Sequence, residues 1–418
     1  MTFAKGPYDL IVIGGGAAGV FAAINTARLQ PSWKILVIEK SSKLLSKVKV
    51  SGGGRCNVTH ACFEKRELPS YYPRGSSFVK KYIHQFFTTD TIEWFQQRGV
   101  EIKKESDGRM FPVTDDSQTI IDVLLQEAAN YSIYFQLQST VIDVTKEGNR
   151  FLLQLSGDRK IEAFYCCVAA GGISKENSFD WIRKFGHLIH APVPSLFTFN
   201  SPQHSITKLM GISVPVVKVK ISTTKLEQVG PVLITHWGLS GPAVLRLSAW
   251  GARILNEKKY QFSIQLNWLE GEGWNAATLS SYFDQQRLEF PTKQLGSRLF
   301  QLPQRLWEYF LAESGISPHT RFAELKKKEE NRLIKLLTDM SIHVSGKTTF
   351  KEEFVTAGGI DCTQIDPLTM ESKLIPGLFF AGEMMDVDGI TGGFNFQHAW
   401  SSGYIAAAAL AEKSSQIF

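Results

Sequence analysis

The chain begins its pattern with a short apolar run, residues 8–13 (YDLIVI), of the β-rich kind that a strand buried on both faces needs. Residues 14–19 follow as a glycine-rich turn. Residues 17–29 then have helical composition, and residues 34–39 (KILVIE) form a second buried run. The order predicts a strand–turn–helix–strand unit of about 30 residues. Residues 117–130 predict an amphipathic helix. Four short alternating segments, 133–137, 140–145, 151–155 and 159–162, predict an antiparallel meander with a turn at Glu147-Gly148-Asn149. A further buried strand, 164–169 (FYCCVA), ends at Gly171-Gly172.

The texture changes at Pro192 and Pro194, which mark a boundary. Residues 214–222 and 232–235 are strand-like and suit a small sheet or barrel. From 276 to 340 the pattern is helical, with 325–337 charged on one face. Strand and glycine character returns over 347–358, and a helix over 397–411 closes the segment 378–410. The expected organisation is α/β: a nucleotide-binding domain built from 1–190 and 350–418, with 191–349 inserted. The insert divides into a barrel part at about 191–270 and a helical part at about 271–345.

Composition narrows the class. The 418 residues are 43% hydrophobic and 21% charged, with a formal net charge of +6, which suits an anionic ligand without demanding a nucleic acid. The five cysteines include no Cys-x-x-Cys pair, which speaks against a zinc ribbon or a thiol–disulfide enzyme of that motif. The uncharged stretch 10–27 is interrupted by Gly14, Gly15, Gly16 and Gly19, and Asp9 stands where a leader would be basic. The expectation is a soluble, cytoplasmic protein with no membrane partner.

The chemistry sits in four motifs. Gly14-x-Gly16-x-x-Gly19 follows a buried strand and opens a helix, and Glu39 ends the next strand twenty residues after Gly19. That context makes a dinucleotide fingerprint, with Gly16 admitting a pyrophosphate, Gly19 admitting close helix packing and Glu39 accepting from a ribose. Ser51-Gly52-Gly53-Gly54-Arg55-Cys56-Asn57 exposes backbone amides and adds a positive charge at Arg55. Ala169-Ala170-Gly171-Gly172 permits close approach at a strand end. Ala381-Gly382-Glu383 through Asp386 leads to Gly392-Gly393-Phe394-Asn395-Phe396-Gln397, where a helix N-terminus can face the pyrimidine end of a flavin. Gly238-Leu239-Ser240-Gly241-Pro242-Ala243 imitates a second phosphate loop but is read as a structural helix start. Cys56 and His398 are weighed as a redox thiol and a general acid, and are read as packing or cofactor lining. The remaining histidines show no metal spacing.

With these motifs assembled, the chain resembles the HI0933-like (BaiN-like) flavoproteins nearly end to end. The resemblance is carried by residues 13–19, 49–59, 235–248, 355–361 and 369–403. It implies a glutathione-reductase-type FAD-binding Rossmann domain with an inserted β-barrel and helical domain. It implies FAD bound along Gly14, Gly16, Ala17, Ala18, Gly19, Glu39, Lys40 and Lys47. The implied contacts continue through Ser51–Asn57, Val141, Ala170, Gly171, Gly382, Glu383, Asp386 and Gly392–Gln397. Two departures from the family are the loop at 174–181, which lacks the usual Pro and Gly, and His60, where Asn is usual. The expected activity is hydride transfer from NAD(P)H through FAD to a small organic acceptor. RNA is the alternative, disfavoured because Lys326-Lys327-Lys328 is followed at once by Glu329-Glu330. A flavin-loaded sensor is the third reading.

Overall fold

The computed structural model describes residues 7–172, 176–348 and 355–414; Ser174 and Lys175 of the 174–181 loop lie outside them. The chain divides into two compact units, residues 1–194 with 351–418, and residues 195–350.

The first unit is built on a parallel sheet. Strand β1 (Tyr8–Ile13) lies between β2 (Ile35–Ile38) and the strand Lys160–Val168, and β2 pairs in turn with Tyr134–Gln136. Parallel strands covered on both faces must be apolar throughout, which is why Ile35–Ile38 is buried at every position. Helix α1 (Ala17–Leu29) crosses between β1 and β2 and is buried continuously from Ala18 to Ala27. Its cover is the final helix, Phe394–Ser414. A Cβ on Gly403 would come 2.8 Å from the Ala18 carbonyl oxygen, so the two helices approach to backbone distance.

Two strand expectations need correction. Segments 159–162 and 164–169 are one strand, Lys160–Val168. Along one edge its first half pairs antiparallel with Arg150–Leu155, and its second half pairs parallel with Leu378–Phe380. The change of partner, not a break in the chain, produces the change in hydrophobic pattern. Tyr134–Gln136 belongs to the parallel sheet beside β2, not to the meander.

The second unit is a curled antiparallel sheet with helices. Its strands run in the order Met340–Val344, Phe262–Asn267, Ser213–Ile221, Glu227–Thr235, Gly238–Ser240, Thr198–Asn200, Gly346–Thr348. The two end strands are consecutive in the chain, joined at Ser345, whose N–H donates to the Asn200 carbonyl at 2.8 Å. One bent segment therefore serves both edges and closes the sheet into a barrel, which removes its exposed edges. Val217, Val219, Ile221, Ile234, Ile264, Leu266, Ile342 and Val344 alternate inward to fill it. The phosphate-loop imitation is structural: Gly238–Ser240 is a barrel strand, and Pro242 starts the helix Pro242–Glu257. The long helical pattern resolves into Ala276–Glu289, Gln304–Ser314 and Lys327–Thr338, packed through Phe283, Trp307 and Leu333.

Charge is divided unequally between the units. Residues 195–350 carry 19 Lys and Arg against 12 Asp and Glu, a net +7. The rest of the chain carries 27 against 28, a net −1.

Candidate functional site

The site grows from the turn between β1 and α1. Gly14 has φ +112, and a Cβ there would lie 2.3 Å from the Ala169 carbonyl oxygen, so the strand ends at Gly14 and Ala169–Ala170 meet without side chains between them. A Cβ on Gly19 would lie 2.0 Å from the Gly14 carbonyl oxygen, which excludes any larger residue at that position of α1. Gly16 differs: a Cβ there would meet nothing within 4 Å. Gly16 is the N-cap of α1, in extended conformation, with no side-chain cap and no acid in the first turn. The positive end of the helix, at Ala17 and Ala18, thus opens on free space sized by the missing side chain. An anion such as a pyrophosphate fits there.

Glu39, at the end of β2, is tied to this turn. Its two carboxylate oxygens accept from the N–H groups of Gly15 at 2.8 Å and Ser41 at 2.9 Å. Each oxygen keeps a lone-pair direction for a ribose hydroxyl. The Ser139 N–H donates to the Glu39 carbonyl and the Gln138 N–H to that of Ser41, both at 3.0 Å. This brings the start of the strand Val141–Glu147, and so Val141, beside Glu39 and the exposed Lys40.

The second glycine motif is half helix, half turn. The helix Ser46–Gly54 kinks at Ser51, and Gly52, Gly53 and Gly54 all take left-handed φ between +59 and +87. Cβ atoms on Gly53 and Gly54 would meet nothing within 4 Å, so a flat group can approach the backbone here. The positive charge at Arg55 is paired within the protein. It reaches Glu105 at 2.6 Å and Asp115 at 3.4 Å and lies over the Phe111 ring. Those carboxylates neutralise it from positions 50 and 60 residues downstream. Cys56 is wholly buried, and burial pushes its thiol up to about 12, which disposes of a redox thiolate. Asn57 accepts from the Met110 N–H at 3.3 Å and fixes the turn from within.

The C-terminal motif joins both. A Cβ on Gly382 would lie 2.8 Å from the Ala18 side chain, so this glycine brings the loop against the phosphate turn. Glu383 accepts from Lys47 Nζ at 2.7 Å, from the Gly172 N–H at 3.1 Å and from the Thr356 N–H at 3.0 Å. One carboxylate thereby gathers the helix of the second motif, the turn following Ala170–Gly171 and the strand Val355–Ile360. Asn395 pairs with both backbone groups of Gly389, accepting from N–H at 2.8 Å and donating to C=O at 2.9 Å, which holds the Gly392–Gly393 loop to the helix start. Phe394, Tyr71 and His60 form a three-ring cluster, with Phe394 at 4.4 and 4.6 Å from the other two centroids, and His60 Nδ1 lies 2.9 Å from the Gly392 carbonyl oxygen. Phe396 stacks on Trp400.

Three candidate residues of this region have partners within the protein. The Gln397 side chain is fully buried: it accepts from the Thr59 and Thr91 hydroxyls and donates to Ser401. These bonds position the helix. Asp386 faces His190, at 3.9 Å. His398 is buried, and desolvation lowers it to about 4. As neutral imidazole it donates from Nε2 to the Gly382 carbonyl and accepts at Nδ1 from the Tyr82 hydroxyl. It is a packed strut, not a general acid. Sequence reasoning missed the buried, bidentate Arg74–Asp388 pair, since nothing local in Pro73-Arg74-Gly75 points to a partner 314 residues away.

Taken together, the open cradle at Gly16, the lone pairs of Glu39 and the open faces of Gly53 and Gly54 fit an adenine dinucleotide with a flat ring system. Among the described residues, no group of three His, Cys, Asp or Glu side chains could hold a metal ion, and no helix is long and apolar enough to cross a membrane.

Known proteins align with the whole chain. Residues 8–409 match the family described as HI0933-like protein Rossmann domain. The chain is 32% identical over 419 residues to "Ribosomal RNA dihydrouridine synthase" of Escherichia coli (strain K12), covering 98% of this chain and 99% of that protein. It is 27% identical to "3-dehydro-bile acid delta(4,6)-reductase" of Clostridium scindens, covering 96% and 98%. Its fold is similar to the crystal structure of 3-ketosteroid-delta4-(5alpha)-dehydrogenase from Rhodococcus jostii RHA1, with a TM-score of 0.51 at 14% identity, covering 97% of this chain and 98% of that one.

Proposed function

The chain belongs to the HI0933-like family and is an FAD-dependent oxidoreductase, and from that premise we propose that it reduces a carbon–carbon double bond conjugated to a carbonyl, in a uracil ring of ribosomal RNA. The observation that carries this reading is the end-to-end relation to the dihydrouridine synthase. The second relative's name describes the same kind of chemistry, since a double bond at position 4 is conjugated to a 3-oxo group. The basic insert favours the polyanion as substrate over a steroid.

FAD, when bound, supplies the hydride, and NAD(P)H is the proposed source of its electrons. The chain's own residues bind and orient. The amides at Gly16, Ala17 and Ala18 take the pyrophosphate at the α1 N-terminus, and Glu39 takes the ribose. The Ser51–Gly54 turn and Ala170–Gly171 let the backbone approach the cofactor closely. Glu383, held by Lys47 and two backbone N–H groups, keeps the segments around it in register. The N-terminus of the final helix, braced by Asn395 on Gly389, would offer its positive dipole end to the ring system of the cofactor.

The test is a colour cycle. FAD-loaded protein is mixed anaerobically with NADH or NADPH, and the bleached protein then receives unmodified ribosomal RNA, a cyclic enone or oxygen. Bleaching by one nucleotide and recolouring by RNA support the reading. Recolouring by the enone alone moves the substrate to the small-molecule class, and no bleaching by either nucleotide removes NAD(P)H as donor.

A further inference from the structure

The positive excess of the insert has a face. On the helix Lys327–Thr338, the side chains of Lys328, Arg332 and Lys335 are exposed, and they recur at i, i+4 and i+7. That spacing is one helical stripe, about 10 Å long at 1.5 Å per residue. Leu333, Ile334 and Leu337 are buried on the opposite side and fix which way the stripe points.

Read as sequence, Glu329 and Glu330 cancel these charges. The fold buries one and pairs the other with a lysine off the stripe. The Glu330 side chain is fully buried, accepting from Lys327 Nζ at 2.6 Å and from Arg287. Glu329 lies 3.5 Å from Lys326. The two acids are thus taken up by Lys326, Lys327 and Arg287. Lys328, Arg332 and Lys335 have no ion-pair partner among the described residues. The stripe keeps three positive charges on a unit of net +7, while the flavin-binding unit, at net −1, offers a polyanion no comparable attraction.

Resting on the reading of an RNA substrate, we propose that Lys328, Arg332 and Lys335 form a phosphate-contacting stripe that holds ribosomal RNA by its backbone. Its length spans about three steps of a nucleic-acid strand at about 3.4 Å each. Lysine and arginine contacts of this type supply affinity and salt dependence without reading sequence.

The experiment compares three proteins for retention of ribosomal RNA transcribed in vitro, across a series of potassium chloride concentrations. These are the wild type, K328Q/R332Q/K335Q, and R66Q/K80Q/K81Q, which removes the same charge from exposed positions of the flavin-binding unit. Each lost phosphate contact lowers the slope of log K against log salt by about 0.7 to 0.9. The stripe variant is expected to lose about 2 to 3 in slope and tenfold or more in affinity near physiological salt. FAD content, melting temperature and bleaching by NAD(P)H stay at wild-type values, and the control variant stays within twofold in affinity. If the wild type retains RNA and the stripe variant binds no worse than the control, the stripe is overturned and the RNA reading stands. If the wild type retains no RNA at any salt, the RNA reading falls and takes the stripe with it.

Discussion

Replacing Gly16 with valine separates the cofactor site from the fold more cleanly than any other change. Gly16 has φ −86 and ψ −171, which any residue adopts, and a Cβ there meets nothing within 4 Å. The apo protein should therefore fold as the wild type does. The added side chain occupies the space in front of the α1 N-terminus and keeps a pyrophosphate from its amides. Losing two charge-assisted hydrogen bonds at about 1.5–3 kcal/mol each gives about 3–6 kcal/mol, or roughly 10²- to 10⁴-fold in Kd. Gly19→Ala is the counterpart. Its Cβ would stand 2.0 Å from the Gly14 carbonyl oxygen, so it strains the strand–helix turn itself, by about 1–3 kcal/mol. Flavin titration and thermal melts of stripped protein read both effects. G16V should melt like stripped wild type and bind FAD weakly, whereas G19A should melt several degrees lower even without FAD. A G16V protein that retains stoichiometric FAD, or whose melting temperature collapses, would refute the assignment of this cradle.

His398 sits at about 4 in the folded protein against an ordinary value near 6.5. The unfolded chain therefore binds the extra proton first as pH falls, and stability is full above about 6.5 and declines toward 4. Between pH 7 and 5 the wild type should lose about 2 kcal/mol more than H398Q in urea unfolding; parallel pH profiles would contradict the buried neutral strut. Arg74→Ala removes the bidentate partner of the fully buried Asp388 and should cost about 3–5 kcal/mol, with R74M/D388L recovering part of it; a loss below about 1 kcal/mol would show that the pair is not buried as described. Cys56→Ser should keep its flavin, and iodoacetamide at pH 8 should leave Cys56 unlabelled in the native protein; rapid labelling would reopen a thiol role.

What the sequence made legible was whatever depends on neighbours along the chain. Gly14, Gly16 and Gly19 answer to one turn, and Glu39 lies one strand away, so spacing alone locates the cradle. The insert's barrel and helices show through alternation and helical period. What stayed hidden depends on distant partners. The positive charge of Arg55 is legible, but not Glu105 and Asp115, which the fold brings to it. Nothing near Gln397 in the sequence tells that Thr59 and Thr91, some 300 residues earlier, donate to its oxygen. Lys160–Val168 reads as two strands because its edge partner changes midway. Glu329 and Glu330 looked like neighbours that cancel a lysine run, yet a helix turns adjacent residues about 100° apart and sends one of them into the core.

Reduction of uracil in ribosomal RNA is tested by nucleoside mass spectrometry of unmodified ribosomal RNA incubated anaerobically with FAD-loaded protein and NADH or NADPH. Uridine carrying two added hydrogens is expected, formed only with flavin and nucleotide both present and absent with G16V. RNA that comes back unchanged from a protein whose flavin is bleached by NAD(P)H and recoloured by a cyclic enone would contradict it.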